Sequence, residues 1–254
     1  MLRYELKYFV HNSKENILRE MIAPFVRLDK HAEKQENHEY TVRSIYFDTP
    51  KYRNYFEKVE GIKNRKKLRI RGYNELNNGS DPIFFEIKRK YEIPILKNRA
   101  LTNYQNTLDI FKGFSEIDYH SLLDKFQNNQ DDAQRFFFQY ALNKMEPVVL
   151  IVYEREAYQG IHDDTIRITF DKNLRSKSFP KIDELYTKER LCHVMTNSFI
   201  LEIKFNDYFP SWMKPIIGVL NLKRESASKY VMGIDATNMI KSKGLPKTFL
   251  RKAY

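Results

Sequence analysis

The sequence has 254 residues, of which 42% are hydrophobic and 14% aromatic, so the chain is long enough to bury a substantial core. Its 44 Lys and Arg exceed its 33 Asp and Glu, and the resulting net charge of +11 favours an anionic partner. The single cysteine excludes an internal disulfide, and because no stretch approaches the ~20 apolar residues of a membrane span or the apolar core of a signal peptide, we expect a cytoplasmic protein.

The first hundred residues combine strand patterns with two short helical stretches. Alternation, or enrichment in β-branched and aromatic residues, predicts strands at residues 2–10, 40–47, 65–73 and 83–91. A helix over residues 12–25 follows the first strand. Asp48, Pro50 and Gly61 supply an N-cap, a first-turn proline and a stop signal, which together predict a helix over 50–60. The Asn-Gly pair between the last two strands indicates a hairpin.

After residue 100 the hydrophobic pattern of the sequence changes. Between residues 100 and 145 the alternation is lost, and apolar residues at helical spacing predict two or three helices. The elements expected after these are strands at 147–159, at 164–171 and within 190–205, then helices at about 210–221 and 226–239. Antiparallel hairpins with inserted helices predict an α+β fold, with residues 1–254 in a single domain. Because closure removes exposed sheet edges, charged inward faces suggest a closed antiparallel β-barrel of about eight strands, with helices packed around it.

Several predicted strands place charge on one face and apolar residues on the other. These segments are Glu5-Leu6-Lys7, Lys67-Leu68-Arg69-Ile70-Arg71, Phe85-Glu86-Ile87-Lys88 and Leu201-Glu202-Ile203-Lys204. For a single strand, a solvent-facing charged side is the usual explanation, and a nucleic-acid patch at 63–71 is an alternative. The recurrence of the pattern, dominated by Lys and Arg, favours one basic cavity that would suit a polyphosphate chain and a metal ion.

Other classes of site find no support. The sequence has no Gly-x-x-x-x-Gly-Lys-Ser/Thr loop and no Gly-x-Gly-x-x-Gly motif, and its six histidines show no metal-binding spacing. Cys192 falls in a predicted strand, where we expect a buried, inert thiol. Acyl transfer, zinc-dependent hydrolysis and hydride transfer are therefore disfavoured.

Taken in order, the motifs resemble the catalytic domain of the vacuolar transporter chaperone (VTC) polyphosphate polymerases, members of the triphosphate tunnel metalloenzymes. The segments that carry this resemblance span nearly the whole chain: Arg3-Tyr4-Glu5-Leu6-Lys7-Tyr8, Ser44-Ile45-Tyr46-Phe47-Asp48, Lys67-Leu68-Arg69-Ile70-Arg71-Gly72-Tyr73, Phe85-Glu86-Ile87-Lys88, Tyr153-Glu154-Arg155, Arg167-Ile168-Thr169-Phe170-Asp171, Leu201-Glu202-Ile203-Lys204 and Ser228-Lys229-Tyr230. Each motif alone is weak, but eight in the same order are specific.

The resemblance implies an antiparallel β-barrel whose lumen is a charged tunnel lined by Lys, Arg and Glu. It also implies an enzyme that transfers the γ-phosphate of ATP onto a growing polyphosphate chain with Mn²⁺ or Mg²⁺. The residues that it implies as phosphate-gripping and catalytic are Lys7, Arg69, Arg71, Lys88, Arg155, Arg167 and Lys229. Glu202 would hold the metal, and further candidate binding residues are Arg43, Lys97, Arg99 and Lys204. Phosphoryl transfer depends on positioning and charge neutralisation. The nucleophile would be the terminal phosphate of the acceptor, which is already ionised, so no strong general base is required.

Some roles stay open at this stage. Glu5 and Glu86 could orient Lys7 and Lys88 through salt bridges, which we favour, or could ligate metal. The sequence includes neither a phosphate-sensing domain nor a membrane span, so we expect a free-standing catalytic domain. A basic tail, formed by Lys241, Lys243, Lys247, Arg251 and Lys252, is expected to be solvated, with an acidic partner or a membrane surface as the alternative.

Three functions remain compatible with these residues. The first is an ATP-dependent polyphosphate polymerase, with ATP and inorganic polyphosphate as partners and nucleic acid disfavoured. The second is a tunnel triphosphatase that hydrolyses ATP, triphosphate or short polyphosphate at the same site. The third is a non-enzymatic binder of polyanions.

Overall fold

The computed structural model describes residues 3–90, 95–113, 118–126 and 129–239. Its strands are β1 (Arg3–His11), β2 (Val26–Leu28), β3 (Glu39–Asp48), β4 (Arg65–Tyr73), β5 (Pro82–Lys90), β6 (Ile95–Asn103), β7 (Glu146–Gly160), β8 (Arg167–Ser178), β9 (Cys192–His193) and β10 (Ser198–Asn206). Its α-helices are α1 (Glu15–Ile22), α2 (Lys30–Glu33), α3 (Arg53–Val59), α4 (Tyr104–Lys112), α5 (Tyr119–Leu123), α6 (Gln130–Leu142), α7 (Met213–Val219) and α8 (Lys229–Ala236), and 3₁₀ turns occupy Asn12–Lys14 and Ile182–Tyr186. The basic tail lies outside the described residues.

All these strands join one antiparallel sheet. The main path runs β1-β10-β8-β7-β3-β4-β5-β6, while β2 pairs with β7 and β9 pairs with β8. The predicted antiparallel α+β architecture is confirmed, but closure into a barrel is not. Within the described residues no pairing joins β1 to β6, so the two remain end strands. The two ends of the sheet approach through side chains instead, since Lys88 Nζ of β5 lies 3.2 Å from Glu5 Oε2 of β1.

Helices cover the sheet on both of its faces. On the outer face, α4, α5 and α6 bury an aromatic cluster around Phe85 and Phe136 against β3 to β6. On the opposite face, α8 packs against β7 and β8. Gly233 permits this approach, because a Cβ at this position would collide with the side chain of Ile151. No helix in the described part of the chain combines the length and apolar character that a bilayer crossing requires.

The predicted elements are largely present, with three instructive differences. Strand β6 was not predicted, because polar residues on both of its faces hide the alternation. Two of these polar residues are buried: Asn98 donates to Asp132, and Thr102 donates to the carbonyl of Lys125. The helix after β3 starts later than expected, with Tyr52 at the N-cap. Asp48 nevertheless caps it, accepting the N–H groups of residues 54 and 55 at 2.9 and 3.0 Å.

Cys192 provides the third difference. The thiol was expected to be buried in a strand, and it does lie in a strand, the short β9, but it is exposed. Strand β9 pairs with β8 outside the main path of the sheet and presents both of its residues to solvent. The sequence pattern could not show that this segment pairs at a margin of the sheet.

Candidate active site

A cavity of about 700 Å³ lies on the sheet face that α8 packs against. Its wall combines residues of β1, β3, β4, β5, β7 and β10 with the segment that leads into α8. Among the described residues that line it, twelve are Lys or Arg, whereas three are Glu. Those twelve are Lys7, Lys58, Arg65, Lys67, Arg69, Arg71, Lys88, Lys90, Arg155, Lys204, Arg224 and Lys229. The excess positive charge of this wall requires an anion for full compensation.

The alternation of the strands explains how the charges come together. Arg69 and Arg71 of β4 point into the cavity, while Leu68 and Ile70, which alternate with them, are fully buried on the other face of the strand. There they belong to the outer core, the hydrophobic cluster that the sheet forms with α4, α5 and α6. The same division separates Glu202 and Lys204 of β10 from Leu201 and Ile203. The predicted convergence of the charged faces is therefore what the structure shows.

Glu202 is the centre of the densest ion-pair network in the cavity. Its Oε1 lies 2.9 Å from Lys7 Nζ and 2.7 Å from Lys229 Nζ, and its Oε2 lies 3.0 Å from Lys204 Nζ and 3.6 Å from an Arg155 nitrogen. Burial alone would raise the pKa of this carboxyl, but the four cations hold it well below its usual value. Glu202 is therefore ionised in the free protein.

Asp171 is a second acidic anchor, to which the sequence analysis assigned no role. Arg155 binds it with two parallel hydrogen bonds of 2.6 and 2.7 Å, and Lys229 forms a further ion pair with it. The pKa of Lys229 is raised, because Asp171 and Glu202 outweigh the cost of burial. The signal in the sequence was the shared face of Arg167, Thr169 and Asp171.

Glu86 differs from its expected role. It was expected to orient Lys88, but Lys88 pairs with Glu5, while Glu86 accepts Arg69 Nη2 at 2.6 Å and Lys97 Nζ at 2.6 Å. Arg99 lies 3.2 Å away and Arg71 lies 4.0 Å away. These cations hold the pKa of Glu86 far below its usual range despite burial. Lys97 and Arg99 thus connect to the cavity through Glu86 rather than lining it.

Aromatic side chains complete the wall. Arg69 donates to the Tyr46 hydroxyl at 2.7 Å, and Lys229 lies 4.8 Å above the ring of Tyr153. Such rings stabilise cations without neutralising them. Arg155 also lies over Tyr153, at 5.2 Å. The aromatic members of the wall were not predicted from the sequence.

Besides Lys97 and Arg99, two further predicted site residues lie outside the cavity lining: Arg43, predicted to bind, and Arg167, predicted to be catalytic. Arg43 is buried on the opposite face, where it donates to the carbonyls of Asn74 and Thr187 at 2.9 and 3.1 Å and pairs with Glu75 at 2.7 Å. Its role is therefore to anchor loops, because on β3 it shares a face with core residues. Arg167 pairs with Asp29 at 3.1 Å and donates to the Tyr40 hydroxyl, and it is not part of the cavity lining.

Of the residues predicted as catalytic, Lys7, Arg69, Arg71, Lys88, Arg155 and Lys229 line the cavity, as do Glu202 and Lys204. Burial lowers the pKa of Lys204 to about 8, against the opposing effect of Glu202 and Glu5. Five lining cations were not assigned roles from sequence: Lys58, Arg65, Lys67, Lys90 and Arg224. Arg65 and Lys67 share a face of β4 with Arg69, a signal that the strand pattern did contain. Lys58 lies in α3 and Arg224 lies outside the strands, so no strand pattern could indicate them.

Glu202 can serve a divalent metal only in company with other oxygen donors. Both of its oxygens already contact cations, and the described residues contain no group of three or more His, Cys, Asp or Glu suited to a metal. Mg²⁺ is commonly held by one or two carboxylates together with phosphate oxygens. The donor set therefore fits a metal that arrives with phosphate.

Comparisons with known proteins agree with the motif order. The profile of the VTC domain matches residues 2–238. Vacuolar transporter chaperone complex subunit 2 of Saccharomyces cerevisiae is 26% identical over 153 residues, a match that covers 52% of this chain and 18% of that protein. The match thus covers less than a fifth of the length of this curated relative.

Two solved structures are also similar. A putative adenylate cyclase from Bacillus halodurans is 12% identical, with a TM-score of 0.49 and coverage of 90% of this chain and 96% of its own. The PH1819 protein of Pyrococcus horikoshii is 14% identical, with a TM-score of 0.46 and coverage of 92% and 98%.

Proposed function

The chain belongs to the VTC domain family, and from this membership and the basic cavity we propose that it is an ATP-dependent polyphosphate polymerase. In this proposal it transfers the γ-phosphate of ATP onto a growing inorganic polyphosphate chain, as a single catalytic domain in the cytoplasm. The sheet, whose two ends approach each other through side chains, would enclose the polyphosphate as a tunnel.

The observation that carries the proposal is the excess of buried positive charge around a few carboxylates. Twelve Lys and Arg line the cavity against three Glu, and several of these cations are almost fully withdrawn from solvent. Uncompensated buried charge is costly, so a site of this kind is maintained where an anion offsets it. A phosphate chain supplies negative charge at every unit along its length.

Each cation has a distinct part in the proposed transfer. Arg69 and Arg155 present planar guanidinium groups suited to bidentate contact with phosphate oxygens, while Lys7 and Lys229 supply point charges. Glu86, Asp171 and Glu202 hold these groups in place through the ion pairs described above. Positioned cations of this kind stabilise the charge of a transferring phosphoryl group.

The attacking group would be the terminal phosphate of the acceptor chain. It is ionised at neutral pH, so it needs no strong general base. Glu202, together with phosphate oxygens, would hold Mn²⁺ or Mg²⁺, which would neutralise part of the charge on the phosphates. The side chains described here would bind and orient both reactants so that the acceptor oxygen bonds to the γ-phosphorus. The bond from that phosphorus to the β,γ-bridging oxygen breaks, and ADP leaves with this oxygen.

Incubation of the purified protein with ATP and Mn²⁺ tests the proposal, with long-chain polyphosphate and free phosphate measured separately. We expect polyphosphate to accumulate and its formation to stop when the metal is chelated. Release of phosphate without a polyphosphate product would refute the polymerase and indicate a triphosphatase. If the protein bound anions but showed no turnover, the result would indicate a non-enzymatic binding protein.

The Glu202→Ala substitution tests the assignment of the site. We expect turnover to fall by about 10²–10³-fold, the range for loss of one group that stabilises a transition state. A protein that only binds anions would bind them equally well or more tightly without this carboxylate. The matched control is Glu20→Ala, which removes the same charge from the exposed side of α1. Circular dichroism checks that both variants fold.

A further inference from the structure

Five cations at one end of the cavity form no ion pair with a carboxylate of the described residues. We call them the outer cluster: Lys58, Arg65, Lys67, Lys90 and Arg224. Among the described residues, no Asp or Glu oxygen lies within ion-pair distance of any of the five. The cluster lies at a mouth of the cavity, since β4 begins at Arg65, β5 ends at Lys90 and Arg224 is exposed. The rest of the cavity, which contains Lys7, Arg69, Arg155, Glu202 and Lys229, is called the inner cavity. Glu5 and Glu57 attract Lys90 and Arg65 only from beyond ion-pair distance.

The strand register makes this contrast explicit. On β4 and β5, Arg65 lies directly opposite Lys90, and Lys67 lies directly opposite Lys88. Like charges at such positions destabilise a sheet. On β1 and β10, by comparison, the facing pairs are Lys7 with Glu202 and Glu5 with Lys204, which attract. One wall of the cavity is therefore internally compensated, and the mouth of the other wall is not.

The contacts that the outer cluster does make are with neutral groups. Lys67 donates to the Ser228 hydroxyl at 2.9 Å and lies 4.7 Å above the ring of Tyr230, and Lys58 donates to the Ser226 hydroxyl at 2.6 Å. Desolvation and neighbouring cations lower the pKa of Lys67 well below its usual value, and they lower those of Lys58 and Lys90 as well. In the inner cavity, carboxylates raise the pKa of Lys7.

The shape of the charge distribution indicates what kind of anion would bind there. Arg65, Lys67, Arg69 and Arg71 follow one another on one face of β4, at intervals of about 7 Å, twice the rise per residue of a strand. This line leads from the mouth into the inner cavity. A nucleotide concentrates its charge on three phosphates, and its sugar and base are neutral. A linear polyphosphate carries charge along its entire length.

We propose that the outer cluster is a separate subsite for the distal segment of a linear polyphosphate whose reacting end lies in the inner cavity. This assignment rests on the proposed function, which places the transferred phosphate among Arg69, Arg155 and Lys229. The subsite gives the protein selectivity for chain length. A chain that extends past the inner cavity gains contacts at the mouth, whereas tripolyphosphate and ATP do not.

The test compares anions of different length on one pair of variants. Arg65→Gln combined with Lys90→Gln removes two charges from the mouth. The control combines Lys34→Gln with Lys112→Gln, which removes two exposed charges outside the cavity. Isothermal titration calorimetry measures the binding of tripolyphosphate, ATP and a long-chain polyphosphate of narrow length distribution to each protein, without Mn²⁺ and at several salt concentrations.

We expect the mouth variant to bind long-chain polyphosphate about tenfold more weakly than the parent, the effect of two charge contacts of ordinary strength. Its affinities for tripolyphosphate and ATP should change by less than about twofold, and its salt dependence for the long chain should decrease. The control should match the parent for all three anions. Removal of like charges should not impair folding, which thermal unfolding confirms or refutes.

Several results would overturn the subsite. They include equal losses for all three anions, a loss confined to ATP, and an unchanged affinity for the long chain. The outcome is separable from that of the proposed function, because binding is measured without turnover. A parent protein that made no polyphosphate but showed the expected length selectivity would refute the polymerase and retain the subsite.

Discussion

The cavity and the network around Lys172 both withdraw charged side chains from solvent, but their charges are balanced differently. Outside the cavity, Lys172 contacts Glu15 at 2.9 Å and Glu156 at 3.0 Å, and it also pairs with Glu39. Arg19 adds contacts of 2.6 Å to Glu15 and 2.8 Å to Glu156. Three carboxylates thus enclose two cations. In the cavity, twelve cations face three carboxylates of the lining.

This difference separates a structural use of buried charge from a functional one. A network in which each cation meets carboxylates satisfies itself and leaves no demand for a ligand. A network with a large excess of one sign is unfavourable alone and becomes favourable with a counter-ion. Burial and ion pairing are common to both regions, so the sign of the excess is what points to function.

Arg69→Ala should produce the largest effect, because it removes a phosphate-gripping group from the unbalanced region. We expect turnover to fall by about 10²–10³-fold. Stability should change little, since Glu86 retains Lys97 at 2.6 Å and Arg99 at 3.2 Å. Steady-state kinetics and thermal unfolding measure the two quantities. A variant that turns over ATP at the parental rate would remove Arg69 from the site.

Lys172→Met should produce the opposite pattern in the balanced region. Its removal leaves Glu15, Glu39 and Glu156 with Arg19 as their remaining cation in this network. We expect a loss of about 3 kcal/mol in the free energy of unfolding, the lower end for breaking a buried ion pair. Turnover should stay within about twofold of the parent. Lys172→Arg is the control that keeps the charge. A large loss of turnover in Lys172→Met would contradict the distinction between the two regions.

Acid should weaken the balanced region through Glu156. Arg19, Tyr158 and Lys172 outweigh burial and lower the pKa of this carboxyl from 4.5 to about 2 in the folded protein. Its contribution to stability is present above pH 4.5 and is lost as the pH falls toward 2. The difference in unfolding free energy between the parent and Glu156→Gln should shrink by about 2 kcal/mol across that window, after allowance for solvent screening. Urea denaturation at a series of pH values measures it.

Lys67→Met should produce the smallest effect, and one of unusual sign. Because burial and neighbouring cations lower the pKa of Lys67 in the folded state, the unfolded chain binds its proton more strongly. Near neutral pH we expect the variant to be more stable than the parent by up to about 1 kcal/mol, the scale of a like-charge contact between strands. The gain should fade as the pH rises toward 10.5. A destabilised variant at pH 7 would contradict this account of the mouth.

Six of the residues predicted as catalytic line the cavity: Lys7, Arg69, Arg71, Lys88, Arg155 and Lys229. For the five that lie on strands, alternation explains why the charged side chains share one face, whereas Lys229 begins α8 and was proposed from the family resemblance alone. Arg43 shows the limit of that argument. Its neighbours on the same face, Ile45 and Phe47, belong to the outer core, and that apolar company was the available signal that Arg43 does not face the cavity.

The sequence by itself determined the types of the main elements, the charged and apolar faces of the strands and the family, since each depends on local periodicity or on motif order. Only the tertiary structure decided which strands are neighbours. That pairing sets Lys67 opposite Lys88 and places Glu86 beside Arg69 and Lys97 rather than beside Lys88. It also leaves β1 and β6 without a pairing to each other within the described residues. The physical reason is that electrostatic compensation acts through space. Residues far apart in the chain decide whether a buried cation already has a partner or requires one from solution.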